Sequence, residues 1–192
     1  MAGCKKERLD VLLVARGLAE SREQARRLVM AGQVLVDGHA SPKAGHKVSS
    51  VEISVKAMAR FVSRGGEKLE SAFEAFDLNV EGLTCLDVGA STGGFTDCML
   101  QHGASHVIAV DVGTAQLHWR MRQDPRVTSI EKYNVRYLKG EDLPAVPQFA
   151  SFDVSFISLT LVMPPVIQAL SASAELVTLI KPQFEAGKEQ VE

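Results

Sequence analysis

Small, acidic and hydroxyl-bearing residues crowd into one stretch, Asp87-Val-Gly-Ala-Ser-Thr-Gly-Gly-Phe-Thr96, between a short apolar run and the start of a helical pattern. A strand, a glycine-rich turn and a helix start gather several backbone N–H groups around one cavity, and glycine lets the chain pass close to a ligand. Gly89, Ser91, Thr92, Gly93, Gly94, Phe95 and Thr96 are therefore candidates to line a ligand cradle. Dinucleotides and S-adenosylmethionine both use such a turn. The dinucleotide fingerprint requires glycine at the position that Ser91 occupies, where the pyrophosphate comes closest. Asp87 is also awkward beside a polyanion but suits a cationic amino-acid ligand. These features favour S-adenosylmethionine over a nicotinamide cofactor, and so over an oxidoreductase. Asp111, followed by Val112, ends the next apolar run about 20 residues on, where a carboxylate can take ribose hydroxyls.

The elements that must hold these groups read as alternating strands and helices. Apolar runs at 83–86, 106–110, 127–130, 149–154 and 175–180 are separated by helical patterns from Thr96 to Leu100, Ala115 to Arg122 and Leu159 to Leu170. Pro164-Pro165 in the last predicts a late start or a kink. The pattern implies an α/β, Rossmann-like, doubly wound parallel sheet, which binds ligands beyond the carboxyl ends of its strands. Asp87, Asp111, Asn134, Asp153 and Lys181 all fall there. Asp153 lies within its apolar run and needs a partner or a cavity mouth to offset its burial. Before the first strand, Ser63-Arg64-Gly65-Gly66 precedes a helix with apolar positions 69, 72, 73 and 76, and Lys68 borders that stripe as a snorkelling lysine would. Trp119 reads as either core edge or surface and is assigned no role.

The net charge of -2 over 192 residues conceals an asymmetry. Residues 1–60 carry eleven Lys and Arg against six Asp and Glu, a balance of +5, whereas residues 61–192 balance at -7. A basic head on an acidic body points to an anionic partner for the head. The head reads as two short helices, the second opened by Ser21 with Gln24 placed for a capping box, then a strand to Val36, an Asp37-Gly38 turn and a strand over 51–55. Lys5, Arg8, Arg22, Arg26, Arg27, Lys43 and Lys47 are its candidate RNA contacts, with Arg64 beyond it. Cys4, Cys85 and Cys98 lack metal-ligand spacing, and Cys85 is expected to pack in a buried strand. No apolar run reaches the roughly 18 residues of a membrane span, and no signal peptide is evident, so a cytoplasmic protein without a membrane partner is expected.

Arg22-Glu-Gln-Ala-Arg26 leading into Gly32-Gln-Val-Leu-Val-Asp-Gly38 resembles the small S-four-type RNA-binding module. Taken with Ser63-Arg-Gly-Gly-Glu-Lys-Leu69, the Asp87–Thr96 loop, Asp111-Val-Gly113, Asp153-Val-Ser-Phe-Ile-Ser158 and Lys181-Pro-Gln-Phe-Glu185, the chain resembles the TlyA haemolysin-like family. These proteins join an S-four head to an FtsJ-like class I methyltransferase. The resemblance implies an RNA-binding domain with its linker at 1–60 and a methyltransferase domain at 61–192, acting on ribosomal RNA or ribosomal subunits. It implies ribose 2′-O-methylation with S-adenosylmethionine, no metal, and Lys68, Asp153 and Lys181 as members of a Lys-Asp-Lys-Glu tetrad. Asp153 would also approach the cofactor. The fourth member and the last two strands of a seven-stranded sheet are expected beyond Glu192; Glu185 and Glu189 do not replace that glutamate by position.

A ribose hydroxyl is a weak nucleophile until deprotonated, and a lysine takes its proton only when its own pKa falls from about 10.4 toward neutrality. Lys181 is the expected general base, with Lys68 lowering its pKa and Asp153 orienting it. Two alternatives stand beside this one. A chain without the fourth residue could bind RNA and cofactor without turnover, with unpaired strand edges covered by a partner or a second copy. A membrane-lysing haemolysin, suggested by the family name, finds no spanning or interfacial helix.

Overall fold

The computed structural model describes residues 6–40, 43–48, 52–55 and 60–186. The chain divides into two compact units, Met1–Met58 and Ala59–Glu192.

In the first unit, β1 (Glu7–Arg8) leads into α1 (Leu9–Ala15), followed by α2 (Arg22–Met30), β2 (Val34–Val36), β3 (His39–Ala40), β4 (Lys47–Val48) and β5 (Ile53–Val55). Apolar residues at helical spacing, Leu9 and Leu13 on α1 and Ala25, Leu28 and Val29 on α2, close over Val34 to form the core. Ser21 caps α2 by accepting from the Gln24 amide at 3.2 Å. The Gln24 carboxamide reaches back one residue beyond the usual capping-box partner, accepting from the Glu20 amide at 2.6 Å. Asp37 and Gly38 both take positive φ, 50° and 80°, the backbone a two-residue hairpin demands, and β2 pairs antiparallel with both β3 and β5. The expected strand over 51–55 begins at Ile53, and residue 51 lies outside the described residues.

The second unit contains α3 (Gly65–Phe76), β6 (Thr84–Val88), α4 (Gly94–Gln101), β7 (His106–Val110), α5 (Trp119–Gln123), β8 (Val127–Ile130), β9 (Phe149–Phe152), α6 (Leu159–Ala169), β10 (Glu175–Thr178) and α7 (Pro182–Glu185). The five strands form a wholly parallel sheet in the order β10-β9-β6-β7-β8. The chain steps outward from β6 through β7 to β8, then returns to β9 on the other side. The switch point therefore falls between β6 and β9. Register puts Val88 opposite both Val110 and Phe152, so Gly89, Asp111 and Asp153, the next residue on each strand, leave the sheet side by side.

Alternation along the strands divides the core. Cys85, Val107, Ala109 and Phe149 pack under α3 and α4 with Leu69, Phe73 and Met99, while Leu86, Val88, Ile108, Val110, Ala150 and Phe152 pack under α6. Helix α4 lies between sheet and α3 and is buried from Gly94 through Leu100, which explains its weak amphipathic pattern.

Several boundaries differ from the sequence-based expectation. β6 continues through Asp87 to Val88, and β9 stops at Phe152, leaving Asp153 outside the strand. α5 begins at Trp119 rather than Ala115, which takes a φ of 56° incompatible with helix. α6 starts at Leu159, capped by Ser158, and runs through both prolines. Phe76, expected on the inward stripe of α3, is 70% exposed in its final turn, and Trp119 is exposed.

Candidate active site

The loop after β6 is shaped by close approach. Gly89 has a φ of 84°, and a Cβ there would sit 2.9 Å from the carbonyl oxygen of Asp153. Ser91 accepts a left-handed φ of 47°, held by its amide donating to Asp111 Oδ2 at 2.8 Å, while Asp111 Oδ1 accepts from the Gly113 amide at 2.7 Å. Asp111 thus ties the loop after β6 to the loop after β7.

Asp87 takes a different place from the one its sequence position suggests. Like Cys85, it points to the α4 side of the sheet, so it is fully buried and absent from the cleft walls. Its Oδ2 accepts from Thr96 Oγ1 at 2.6 Å, and its Oδ1 is buried with no hydrogen-bond partner. Burial raises the carboxyl to about 7; the Thr96 bonds oppose this and the Asp153 and Asp111 charges add to it. Gly93 and Thr96 also lie off the walls: a Cβ on Gly93 would meet Leu117 at 2.7 Å.

Two adjoining hollows open at the carboxyl ends of the strands. One, of about 280 Å³, is lined by Gly89, Ser91, Asp111, Val112, Asn134 and Asp153 over an apolar floor of Val135, Ile157 and Val162. The Asn134 carboxamide oxygen accepts from the Arg136 amide at 3.1 Å. The other, of about 820 Å³, is walled by Arg64, Lys68, Thr92, Gly94, Phe95 and Lys181, and shares Gly89, Ser91 and Asp153 with the first.

Lys68, Asp153 and Lys181 converge where the hollows meet. Lys181 Nζ lies 2.6 Å from Asp153 Oδ1 and donates to Ser155 Oγ at 2.8 Å, while Lys68 Nζ lies 3.6 Å from Asp153 Oδ2. Lys68 is therefore no simple snorkelling lysine. The carboxylate stands between the two ammonium groups, so Lys68 reaches Lys181 through Asp153. The side chains of Lys181 and Asp153 are about one-fifth exposed, that of Lys68 about half. Glu185 is occupied elsewhere: it accepts from the Leu159 amide at 2.8 Å and Ser158 Oγ at 2.6 Å, and those bonds hold its carboxyl below the usual range.

Sequence reasoning missed Ser155 and Phe156. Phe156 holds a φ of 62°, is 92% exposed and rests on Phe184 with ring centroids 5.1 Å apart. A bulky residue in that conformation carries strain, and the sequence showed it only as part of the Asp153–Ser158 motif, three residues after Asp153.

In the first unit, Arg8, Arg22 and Arg26 surround one buried carboxylate, Asp10, at 2.9, 3.1 and 3.3 Å. The Arg8 bond above all, and those from Arg22 and Arg26, hold Asp10 well below the usual carboxylate range against its burial. Three of the candidate RNA contacts are thus anchored on Asp10, though each side chain remains about half exposed. Arg27 pairs with Glu23 one turn away, and Lys43 and Lys47 are exposed. Lys5 lies outside the described residues.

Comparison with known proteins agrees with this architecture. The chain is 50% identical over 190 residues to a Bacillus subtilis protein provisionally named rRNA methyltransferase YqxC, covering 97% of this chain and 68% of the relative. It is 46% identical to the 16S/23S rRNA (cytidine-2′-O)-methyltransferase TlyA of Mycobacterium tuberculosis, covering 97% and 71%. A solved structure from Streptococcus thermophilus, provisionally named a hemolysin, superimposes with a TM-score of 0.70 at 52% identity, covering 99% of this chain and 71% of that one. The S4 domain matches residues 7–50 and the FtsJ-like methyltransferase model matches residues 61–192. The chain belongs to the FtsJ-like methyltransferase family, its methyltransferase region preceded in sequence by an S4 domain.

Proposed function

We propose that this chain transfers the methyl group of S-adenosylmethionine to a ribose 2′-hydroxyl of ribosomal RNA, with Lys181 as the base. The observation that carries this reading is the Lys68–Asp153–Lys181 cluster at the junction of two hollows. Relatives named for this reaction on rRNA supply the substrate class.

The residues fit the cofactor. The hollow over Val135, Ile157 and Val162 offers an apolar floor for a planar base, and Asp111 and Asn134 at its rim offer acceptors for hydroxyl and amino groups. Bound there, the cofactor supplies an electrophilic methyl group. The chain's part is to place the hydroxyl and remove its proton. Lys181 is restrained by Asp153 and Ser155, so its nitrogen has little freedom to turn from a hydroxyl in the larger hollow. In its neutral form it accepts the proton, and Asp153 stabilises the resulting ammonium. Lys68 holds the second oxygen of Asp153, fixing the carboxylate plane. Arg64 lies on the wall of the same hollow as a phosphate contact, and the exposed face of Phe156 gives a base somewhere to stack.

Lys181→Ala is expected to lower kcat by about 10²–10⁴-fold while leaving calorimetric binding of S-adenosylmethionine unchanged. Undiminished methyl transfer to ribosomal subunits by this variant would reject the assignment.

A further inference from the structure

Glu70 on α3 and Cys98 and His102, four residues apart on one face of α4 and its cap, bring three different metal-ligand atoms to one point, all within 4.8 Å of one another. None of the three lines the hollows that hold the lysines. Cys98 Sγ donates to Glu70 Oε2 at 3.6 Å, and His102 Nε2 lies 2.7 Å from the same oxygen. The other oxygen, Oε1, is held by Arg60, and the imidazole is steadied by Phe73 with ring centroids 4.5 Å apart. A carboxylate oriented from outside and a histidine with a fixed ring are the supports that metal-ligating side chains ordinarily have. Ligand atoms around tetrahedral zinc stand roughly 3.3–3.7 Å apart, given bonds of about 2.0–2.3 Å. On that measure the widest separation, within 4.8 Å, closes by roughly 1 Å and the 2.7 Å pair opens by roughly 0.6 Å.

We propose that Glu70, Cys98 and His102 form a zinc site that clamps α3 to α4, with a solvent molecule as fourth ligand. Without metal, the Cys98 Sγ–H and the His102 Nε2–H both point at one carboxylate oxygen. Zinc replaces those hydrogens: the thiol proton leaves to solvent as a Zn–S bond forms, and the imidazole passes its proton from Nε2 to Nδ1 through solvent so that Nε2 can bind. The dication is neutralised by one thiolate and one carboxylate, and Arg60 stays on the outer oxygen. This proposal stands independently of the methyl-transfer reading.

The test titrates the full chain with Zn²⁺ and, in parallel, with Co²⁺ followed by absorption. We expect one metal per chain, a thiolate-to-cobalt charge-transfer band with tetrahedral visible bands, and a zinc-dependent rise in melting temperature. Cys98→Ser and His102→Gln should each weaken zinc binding by more than about tenfold, Arg60→Met by about tenfold, and Cys4→Ser not at all. Sub-stoichiometric binding, cobalt spectra without the thiolate band, or loss of binding in Cys4→Ser would overturn the site. The cobalt spectrum is read on the unaltered chain, so the outcome does not depend on a variant folding.

Discussion

Burial withholds water from the Asp87 carboxyl, and Thr96 alone answers for it. The group ionises near 3.8 in the unfolded chain and near 7 in the fold. Between those values the folded state keeps a proton that the unfolded state has lost, so stability falls as pH rises through the window and the loss is complete above about 7. The melting temperature of the ligand-free chain is therefore expected to decline by several degrees from about pH 5 to pH 8. Asp87→Asn should flatten that decline, and an unchanged slope in a melting series would show that Asp87 is not its source. Thr96→Val removes the hydroxyl that donates to Asp87 Oδ2 and is expected to destabilise by about 1–3 kcal/mol in denaturant unfolding.

The turn between β6 and α4 depends on glycine for two separate reasons. Gly89 must adopt positive φ beneath the Asp153 carbonyl, whereas a Cβ on Gly94 would sit 2.3 Å from Ser63 Oγ and 2.7 Å from the Gly66 amide nitrogen. Gly89→Ala combines strain with a backbone clash and is expected to cost about 1–3 kcal/mol, with S-adenosylmethionine affinity falling alongside; wild-type affinity by calorimetry would contradict that role. The parallel sheet and its strand-end cleft were legible because strand register turns alternating sequence blocks into adjacent polar ends. The direction of Asp87 was not legible: whether it ends the strand or continues it decides which face it occupies, and one residue of boundary reverses the answer. The Asp10 hub was equally hidden, since Arg8, Arg22 and Arg26 meet only after α1 and α2 pack. Lys68, Asp153 and Lys181 were legible as candidates through family resemblance, whereas Ser155 and Phe156 stood in a quoted motif without a role, because neither the Lys181 contact nor the positive φ is written in the sequence.

Across the whole chain, charge is divided by sequence: the first 60 residues balance at +5 and the rest at -7. Asp10 offsets only one of the three arginines around it, so the cluster keeps a net positive charge with unused guanidinium N–H groups. Arg22→Ala and Arg26→Ala are each expected to reduce the slope of log Kobs against log salt for ribosomal RNA by about 0.7–0.9. Slopes equal to that of the unaltered chain, measured by filter binding, would remove these residues from the RNA contact. Gly65, Gly66 and Gly94 carry a different kind of consequence. The heads of α3 and α4 meet backbone to backbone there, with Phe61 folded against Gly66. Ser63-Arg-Gly-Gly66 and the loop before α4 are nearly thirty positions apart in sequence, yet neither can drift alone. Lineages that vary one should carry a matching change in the other, and a protein engineer recombining the two from different parents should find that only matched pairs survive selection.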